Sequence, residues 1–207
     1  MWSVRPFFNS DTPALAKVWA SHTTAYNSRS VCPVSAWDNA ILSKPYFKSE
    51  ELLVAEDSKG EIVGWLHFSG PPEGMGSSKG NSEISIDSKS LILHQLCVRT
   101  GEDESAIAQQ LLRKLVELSE KSGAVRVLGL GAFDQSFFYL GFGDGDGMLG
   151  VTSQDTRLLG WLKQSGLCPL LPTECWELPL AHFRPPMDRA MLAVLRSSTI
   201  SRVLEEF

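Results

Sequence analysis

Two side chains in the second half of the chain could move a proton in a chemical reaction. His94 lies in the apolar segment LILHQLCV (91–98), and an imidazole has an intrinsic pKa suited to a general base near neutral pH. Tyr139 lies in the glycine- and aromatic-rich segment FFYLGFGDGDGMLGV (137–151), and its phenol could donate a proton. Each has a structural alternative, because a strand histidine and a tyrosine among phenylalanines are also common in packed cores.

Metal chemistry has little support in the sequence. Asp144 and Asp146 suggest a calcium loop, but no further spaced acids follow them, and this favours a flexible turn. The four cysteines form no CxxC pair and the four histidines have no metal-ligand spacing, so we predict no metal site. Scattered cysteines of this kind are typical of reduced thiols, and we expect a cytoplasmic protein.

The composition is that of an ordinary globular protein. The chain has 207 residues, of which 43% are hydrophobic and 21% charged, enough for one large domain or one domain with an appendage. A net charge of −5 leaves no basic stripe for phosphates, so we expect no nucleic-acid partner. The sequence contains no apolar run long enough to cross a bilayer and no signal-peptide core at its N-terminus, so we expect no membrane partner.

A strand–turn–helix unit in the middle of the chain must position these candidates. Residues 91–98 predict a strand buried on both faces, and residues 106–121 predict an amphipathic helix. We expect Thr100 or Asp103 to cap this helix and Gly123 to end it. A strand that runs into a helix N-terminus directs several backbone N–H groups to one point, which is a common way of holding phosphate. An ordinary βα unit with nothing bound is the alternative.

The remaining elements alternate in type. We predict, in chain order, a strand at 2–8, a helix at 14–22, a helix from Ser35 to near Pro45, a hairpin of strands at 51–57 and 61–70, a strand at 124–132, a helix opened by Thr152 or Ser153 and stopped by Gly166, and a proline-broken strand region at 167–181. We expect one domain at 1–181. Residues 182–207 would form a linker and a tail, either a short extra strand and helix or the start of a second unit.

Two finer expectations concern the central strand. Side-chain alternation places His94 and Gln95 on opposite faces of the sheet. Gly129 and Gly131 in the neighbouring strand weaken pairing and permit close backbone approach. We therefore expect the two strands to part and to leave a V-shaped slot beside residues 96–98.

This order of elements resembles the GNAT superfamily of acyl-CoA-dependent N-acyltransferases. The resemblance covers about residues 2–181 and implies an α/β fold with a mixed, mostly antiparallel, twisted sheet flanked by helices. LCV (96–98) matches the end of the family's central strand, whose backbone splays open to accept the pantetheine arm of acyl-CoA. DESAIA (103–108) matches the pyrophosphate loop, and RLLGWLKQSGL (157–167) matches the late helix.

The resemblance also implies where acetyl-CoA would bind as a cosubstrate. The implied contacts lie on the strand and at the start of the following helix: Leu96, Cys97, Val98, Glu104, Ser105, Ala106, Ile107 and Ala108. The loop departs from the family pattern, since Asp103 replaces the usual Arg or Gln and Ala106 and Ala108 replace two glycines. Together, Glu102, Asp103 and Glu104 bring negative charge to the expected pyrophosphate position, and we expect this charge to weaken binding.

The catalytic groups depart from the family as well. The frequent Glu base of the family falls at Ile92 and its frequent Tyr acid at Leu162, so His94 and Tyr139 remain the candidates.

Two functions therefore stay open. One is an acetyl-CoA-dependent N-acetyltransferase that acts on a small-molecule or peptide amine by direct transfer. The other is a degenerate, non-catalytic GNAT domain that packs against or regulates a partner domain. Residues 137–151 and RPPMDR (184–189) resemble the first domain of tandem GNAT proteins of the mycothiol-synthase-like type, and this favours a partner GNAT domain. A homodimer is a further assembly that the resemblance allows.

Overall fold

The computed structural model describes residues 2–22, 33–70, 89–101, 103–130, 138–139, 150–151 and 153–170. This part of the chain contains a five-stranded sheet in the order of the sequence: β1 Ser3–Pro6, β2 Leu52–Glu56, β3 Ile62–Ser69, β4 Ser90–Val98 and β5 Arg126–Gly129. The first four strands pair antiparallel, and β5 joins β4 in parallel. The predicted mixed, mostly antiparallel α/β sheet is confirmed.

The helices cover both faces of the sheet. They are α1 Thr12–Ser21, α2 Val34–Trp37 with a π-helical continuation at Asp38–Leu42, α3 Glu104–Ser122 and α4 Thr156–Gln164. One core cluster joins the sheet to α3 and α4, and the other joins it to α1 and α2. All nine residues of β4 are buried as a result, so the prediction of a strand buried on both faces is confirmed.

Helix α3 follows its predicted amphipathic pattern. Its apolar stripe packs on the sheet where Gly64 of β3 leaves room, since a Cβ at Gly64 would lie 2.9 Å from Ile107 Cγ2. Gly123 ends the helix with a left-handed φ of 70°, as predicted. Asp103 occupies the N-cap position, but its side chain makes no capping hydrogen bond.

The predicted cap by Thr100 is wrong. The Thr100 hydroxyl donates to the carbonyl oxygen of Ser21 at 2.6 Å, in the last turn of α1. Carbonyls at a helix C-terminus lack intrahelical donors. The Ser21 carbonyl therefore accepts the Thr100 hydroxyl, which was expected to cap α3.

The described pairing of β4 with β5 is short, and the predicted parting of the two strands beside residues 96–98 stays a prediction. Their parallel register runs from Ser90–Arg126 to Leu93–Gly129, and one further hydrogen bond joins Leu130 N–H to Leu93 O at 2.9 Å. At Gly129 a Cβ would lie 2.8 Å from the Leu93 Cβ, so the close backbone approach requires glycine. Leu130 then takes a left-handed φ of 52°, which turns the chain away from an extended path. Gly131 lies outside the described residues.

The late elements differ from their predicted bounds. Helix α4 begins at Thr156 instead of near Ser153, because the Asp155 carboxylate caps it by accepting the N–H of Leu158 at 3.0 Å. Residues 167–170 form no strand, and 171–181 lie outside the described residues, as do Thr152 and the whole of 182–207. The predicted domain boundary therefore stays a prediction.

Candidate active site

The pairing of β3 with β4 is irregular at His94. The register pairs His67 with Gln95 and Phe68 with Leu93, so β4 carries one extra residue, His94, at this point. A bulge of this kind interrupts the alternation of side chains. Gln95 is the direct partner of His67, and the His94 ring also lies beside His67, with 5.0 Å between the ring centroids. The prediction that His94 and Gln95 lie on opposite faces is therefore wrong.

The bulge brings four polar side chains together, which we call the histidine–tyrosine cluster: Ser69, His67, His94 and Tyr139. His94 Nε2 lies 2.7 Å from the Ser69 hydroxyl oxygen. His67 Nδ1 lies 3.0 Å from the Tyr139 hydroxyl oxygen. His67 thus stands between the two residues that the sequence singled out, His94 and Tyr139.

Burial keeps both imidazoles of the cluster neutral. Phe138 packs edge-on against His67 and His94, with centroid distances of 4.5 and 4.9 Å. Desolvation lowers the pKa of His94 to about 3. Desolvation, and then the proximity of His94, hold the pKa of His67 well below its usual 6.5. Near pH 7 each ring therefore carries one proton and one lone pair.

His67 is the functional candidate that the sequence analysis missed. Its side chain is fully buried, yet its Nε2 has no hydrogen-bond partner among the described residues. A buried polar atom without a partner costs about 1–3 kcal/mol, so it calls for an explanation. The only local signal was the alternation of Trp65, His67 and Ser69 along one side of β3.

Tyr139 is held in an uncommon backbone conformation. Its φ of 64° is left-handed, which is rare for a bulky residue. Its ring stacks on Trp19 at 6.4 Å, and its N–H donates to the carbonyl oxygen of Ala40 at 3.4 Å. With the bond to His67, these contacts hold the phenol inside the face of the sheet that α1 and α2 cover.

Residues 96–98, predicted to bind the cosubstrate, could contact it only through their backbone. Leu96 and Val98 pack toward α3, Cys97 packs on the opposite face, and all three side chains are buried. Arg99 N–H donates to Val63 O of β3, so by ladder alternation the peptide groups of Val98 point away from β3.

His22 occupies that side of Val98. The buried His22 ring, next to the end of α1, places its Nδ1 3.2 Å from Val98 N and 3.1 Å from Val98 O. One tautomer accepts from the N–H, and the other donates to the carbonyl. One backbone group of Val98, at the strand end that the resemblance assigned to pantetheine, is thus already bonded within the chain.

The described residues of the turn between β4 and α3, 99–101 and 103, also have bonds within the chain, and Glu102 lies outside the described residues. The Glu104 carboxylate accepts the Gly101 N–H at 2.8 Å and pairs with Arg157 of α4 at 2.6 Å. The predicted site residues Ser105 and Ala106 are exposed, whereas Ile107 and Ala108 are buried on the face of α3 that packs against the sheet. Ile107 N–H already donates to Asp103 O, at 3.1 Å.

These contacts decide how well the chain fits acetyl-CoA. The N–H groups of residues 104–106 precede the first helical hydrogen bond, so the start of α3 keeps donors for an anion. The Glu104 charge is offset by Arg157. The pantetheine part fits along β4 only after His22 leaves Val98.

Other kinds of site find no support in the described part of the chain. It contains no group of three His, Cys, Asp or Glu side chains that could hold a metal ion. No described helix is long and apolar enough to cross a membrane. A depression of about 220 Å³ lies between α3, β5 and the end of α4, apart from the histidine–tyrosine cluster.

No family model and no curated protein matches the sequence. Solved structures do match. A transcriptional regulator from Bacillus halodurans is 14% identical with a TM-score of 0.56, covering 86% of this chain and 100% of its own. An aminoglycoside acetyltransferase from an uncultured soil metagenomic sample is 18% identical with a TM-score of 0.51, covering 86% and 99%. The aminoglycoside N-acetyltransferase AAC(6')-Iy in complex with CoA is 10% identical with a TM-score of 0.51, covering 86% and 95%.

At such identities the likeness shows the fold alone. The chain has the GNAT-like α/β fold, as the order of elements predicted. The activity and the tandem arrangement stay predictions.

Proposed function

We propose that the chain is an acetyl-CoA-dependent N-acetyltransferase that transfers the acetyl group directly to a small-molecule or peptide amine. One observation carries the proposal. Strand β4 loses its described β5 partner after Leu93, and the next residue, His94, joins a buried cluster of two neutral imidazoles and two hydroxyls. Proton acceptors and donors thus lie next to the end of the described β4–β5 pairing, where the resemblance implies that the two strands part.

The roles follow from the chemistry of amide formation. Acetyl-CoA supplies an activated acetyl group, and the enzyme must take a proton from the amine and return one to the departing thiolate. The N–H groups at the start of α3 would hold the cosubstrate, as would the backbone of residues 96–98 once His22 has left Val98. His94 and Tyr139 belong to the proton-transferring cluster. Its apolar cover favours an amine that arrives uncharged, because an ammonium ion would lose its hydration there.

A specific observation favours a second candidate, a non-catalytic GNAT domain that serves a partner GNAT domain or a second copy of the chain. The bonds of His22 to Val98 and of Glu104 to Gly101 satisfy the chain's own backbone where a cosubstrate would bond. A domain that no longer binds acetyl-CoA gains stability from such bonds.

Calorimetry with acetyl-CoA separates the two candidates, and thiol release in the presence of a panel of primary amines extends the test. The transferase predicts saturable binding and amine-dependent release of CoA. Binding that appears in His22→Ala but not in the wild type would favour the second candidate, with the slot closed by the chain itself. No binding by either protein would overturn the transferase proposal. The cytoplasmic location stays a prediction.

A further inference from the structure

We propose that His67 and Tyr139 form one proton relay, in which His67 Nε2 accepts the proton of the attacking amine and the Tyr139 hydroxyl protonates the leaving thiolate. The inference rests on the proposed function and names the residues that would carry its chemistry. It makes His67, which the sequence did not indicate, the base in place of His94.

The hydrogen bonds within the cluster distinguish the two histidines. A general base needs a lone pair that is not already bonded. His94 Nε2 is engaged by the Ser69 hydroxyl at 2.7 Å. His67 Nε2 is fully buried and has no described partner, while the other nitrogen of the same ring lies 3.0 Å from the Tyr139 hydroxyl oxygen. One ring therefore offers an open nitrogen on one edge and a bonded phenol on the other.

The proton transfers balance along this path. As the amine nitrogen forms its bond to the acetyl carbon, its proton passes to His67 Nε2. The proton on His67 Nδ1 passes to the Tyr139 oxygen, and the original Tyr139 hydroxyl proton passes to the sulfur as the C–S bond breaks. His67 ends as the other neutral tautomer, and exchange of protons with water restores the first.

Burial suits a relay better than it suits a base that stores charge. Desolvation disfavours the imidazolium form of His67, so an isolated proton acceptor at this position would be weak. A ring that gives up one proton as it gains another never carries the full charge. Phe138, packed edge-on at 4.5 Å from His67, must turn aside for an amine to reach Nε2.

The relay requires one resting tautomer, and that is the first test. With Nδ1–H donating to the Tyr139 oxygen, Nε2 carries the lone pair. Nitrogen-15 NMR of the wild-type protein without ligand reads the protonation of both His67 nitrogens. An unprotonated Nε2 supports the relay, and a protonated Nε2 overturns it whatever the activity.

The second test uses thiol release from acetyl-CoA with an amine that the wild type acetylates. His67→Gln and Tyr139→Phe should each lower the rate by on the order of 100-fold, and the double variant should be no slower than either. Multiplied losses in the double variant would overturn a single relay. Val125→Ala, at a side chain 69% exposed, should keep the wild-type rate, and calorimetry shows whether each variant still binds acetyl-CoA.

A solvent isotope measurement separates proton transfer from support of the fold. The rate in mixtures of light and heavy water should depend on three protons in the wild type and on one, that of the amine, in Tyr139→Phe. A dependence unchanged by the substitution would overturn the relay. A wild type that neither binds nor consumes acetyl-CoA would overturn the proposed function instead, and the tautomer measurement would still decide the arrangement of His67.

Discussion

The histidine–tyrosine cluster lies at the middle of β4, and the turn to α3 follows the end of the same strand. The two regions differ in how they satisfy their polar groups. In the cluster, an imidazole nitrogen of His67 is deeply buried and left without a described partner. In the turn, Gly101 N–H is satisfied by the Glu104 carboxylate, which Arg157 offsets near the surface. Water can replace the bonds of the turn at a cost of about 1 kcal/mol or less, whereas nothing replaces the missing bond of His67. The cluster is thus fixed by packing, and the turn is open to exchange with a ligand.

Removing the cover of the cluster should have the largest effect. Phe138→Ala deletes a buried ring that contacts both imidazoles, so we expect it to lower the free energy of unfolding by about 3–5 kcal/mol. Denaturant unfolding measures this. Val125→Ala, at a side chain 69% exposed, should change stability by less than about 0.5 kcal/mol. Equal effects for both variants would mean that the cluster is not held by packing.

Acid should weaken the fold through the cluster rather than through the turn. Folding lowers the pKa of His94 to about 3. Between pH 6.5 and 3, His94 is therefore protonated in the unfolded chain but not in the native chain. Stability is then complete above pH 6.5 and falls as the pH drops from there toward 3, by about 1.4 kcal/mol per pH unit for each such histidine.

His67 should add to this slope, because its pKa is lowered in the same direction. Unfolding in urea at pH 7, 6 and 5 measures the slope, and His94→Gln should reduce it. A slope that the substitution leaves unchanged would contradict a buried neutral His94.

The contact of β5 with β4 beside the cluster should respond to a single added methyl group. In Gly129→Ala the new Cβ would lie 2.8 Å from Leu93 Cβ and 3.2 Å from Leu93 O, so β5 must shift, at a cost of about 1–3 kcal/mol. Gly160→Ala is the matched control in α4, where a Cβ meets nothing within 4 Å and helix propensity should gain up to about 1 kcal/mol. Thermal unfolding of the two variants should therefore shift in opposite directions.

The turn should give the smallest effect, and on binding rather than on stability. Glu104→Gln removes a carboxylate near the start of α3 and releases Arg157, so acetyl-CoA binding should tighten by up to about 1 kcal/mol, roughly fivefold. Asp103→Asn removes a charge of the same sign that makes no capping bond, and should tighten binding less. Calorimetry at low and high salt should show both gains shrinking as salt screens the charge. Equal gains would mean that Arg157 plays no part.

Patterns local in sequence predicted much of this fold. The periodicities of residues 91–98 and 106–121 predicted β4 and α3 nearly to their ends, and Gly123 marked the end of α3. Each of these features depends on residues a few positions apart.

Contacts between distant residues could not be read in this way. Tyr139 bonds His67, 72 positions away, and His22 bonds Val98, 76 positions away. The extra residue at His94 interrupts the alternation of side chains along β4. The sequence of β4 alone does not show this bulge, because it is visible only in the register with β3. The candidate site was therefore predicted at His94 and Tyr139, and missed at His67 and His22.

The bond between His22 and Val98 also has a consequence for hydrogen exchange at one backbone amide. An amide hydrogen exchanges with solvent only during moments when its hydrogen bond is open. Val98 N–H lies in a buried strand, but its partner, His22, is the C-cap residue of α1 and does not lie on a neighbouring strand. The exchange rate of the Val98 amide, compared with that of Arg99 N–H bonded to Val63 O, therefore reports how often the hydrogen bond between the end of α1 and β4 opens.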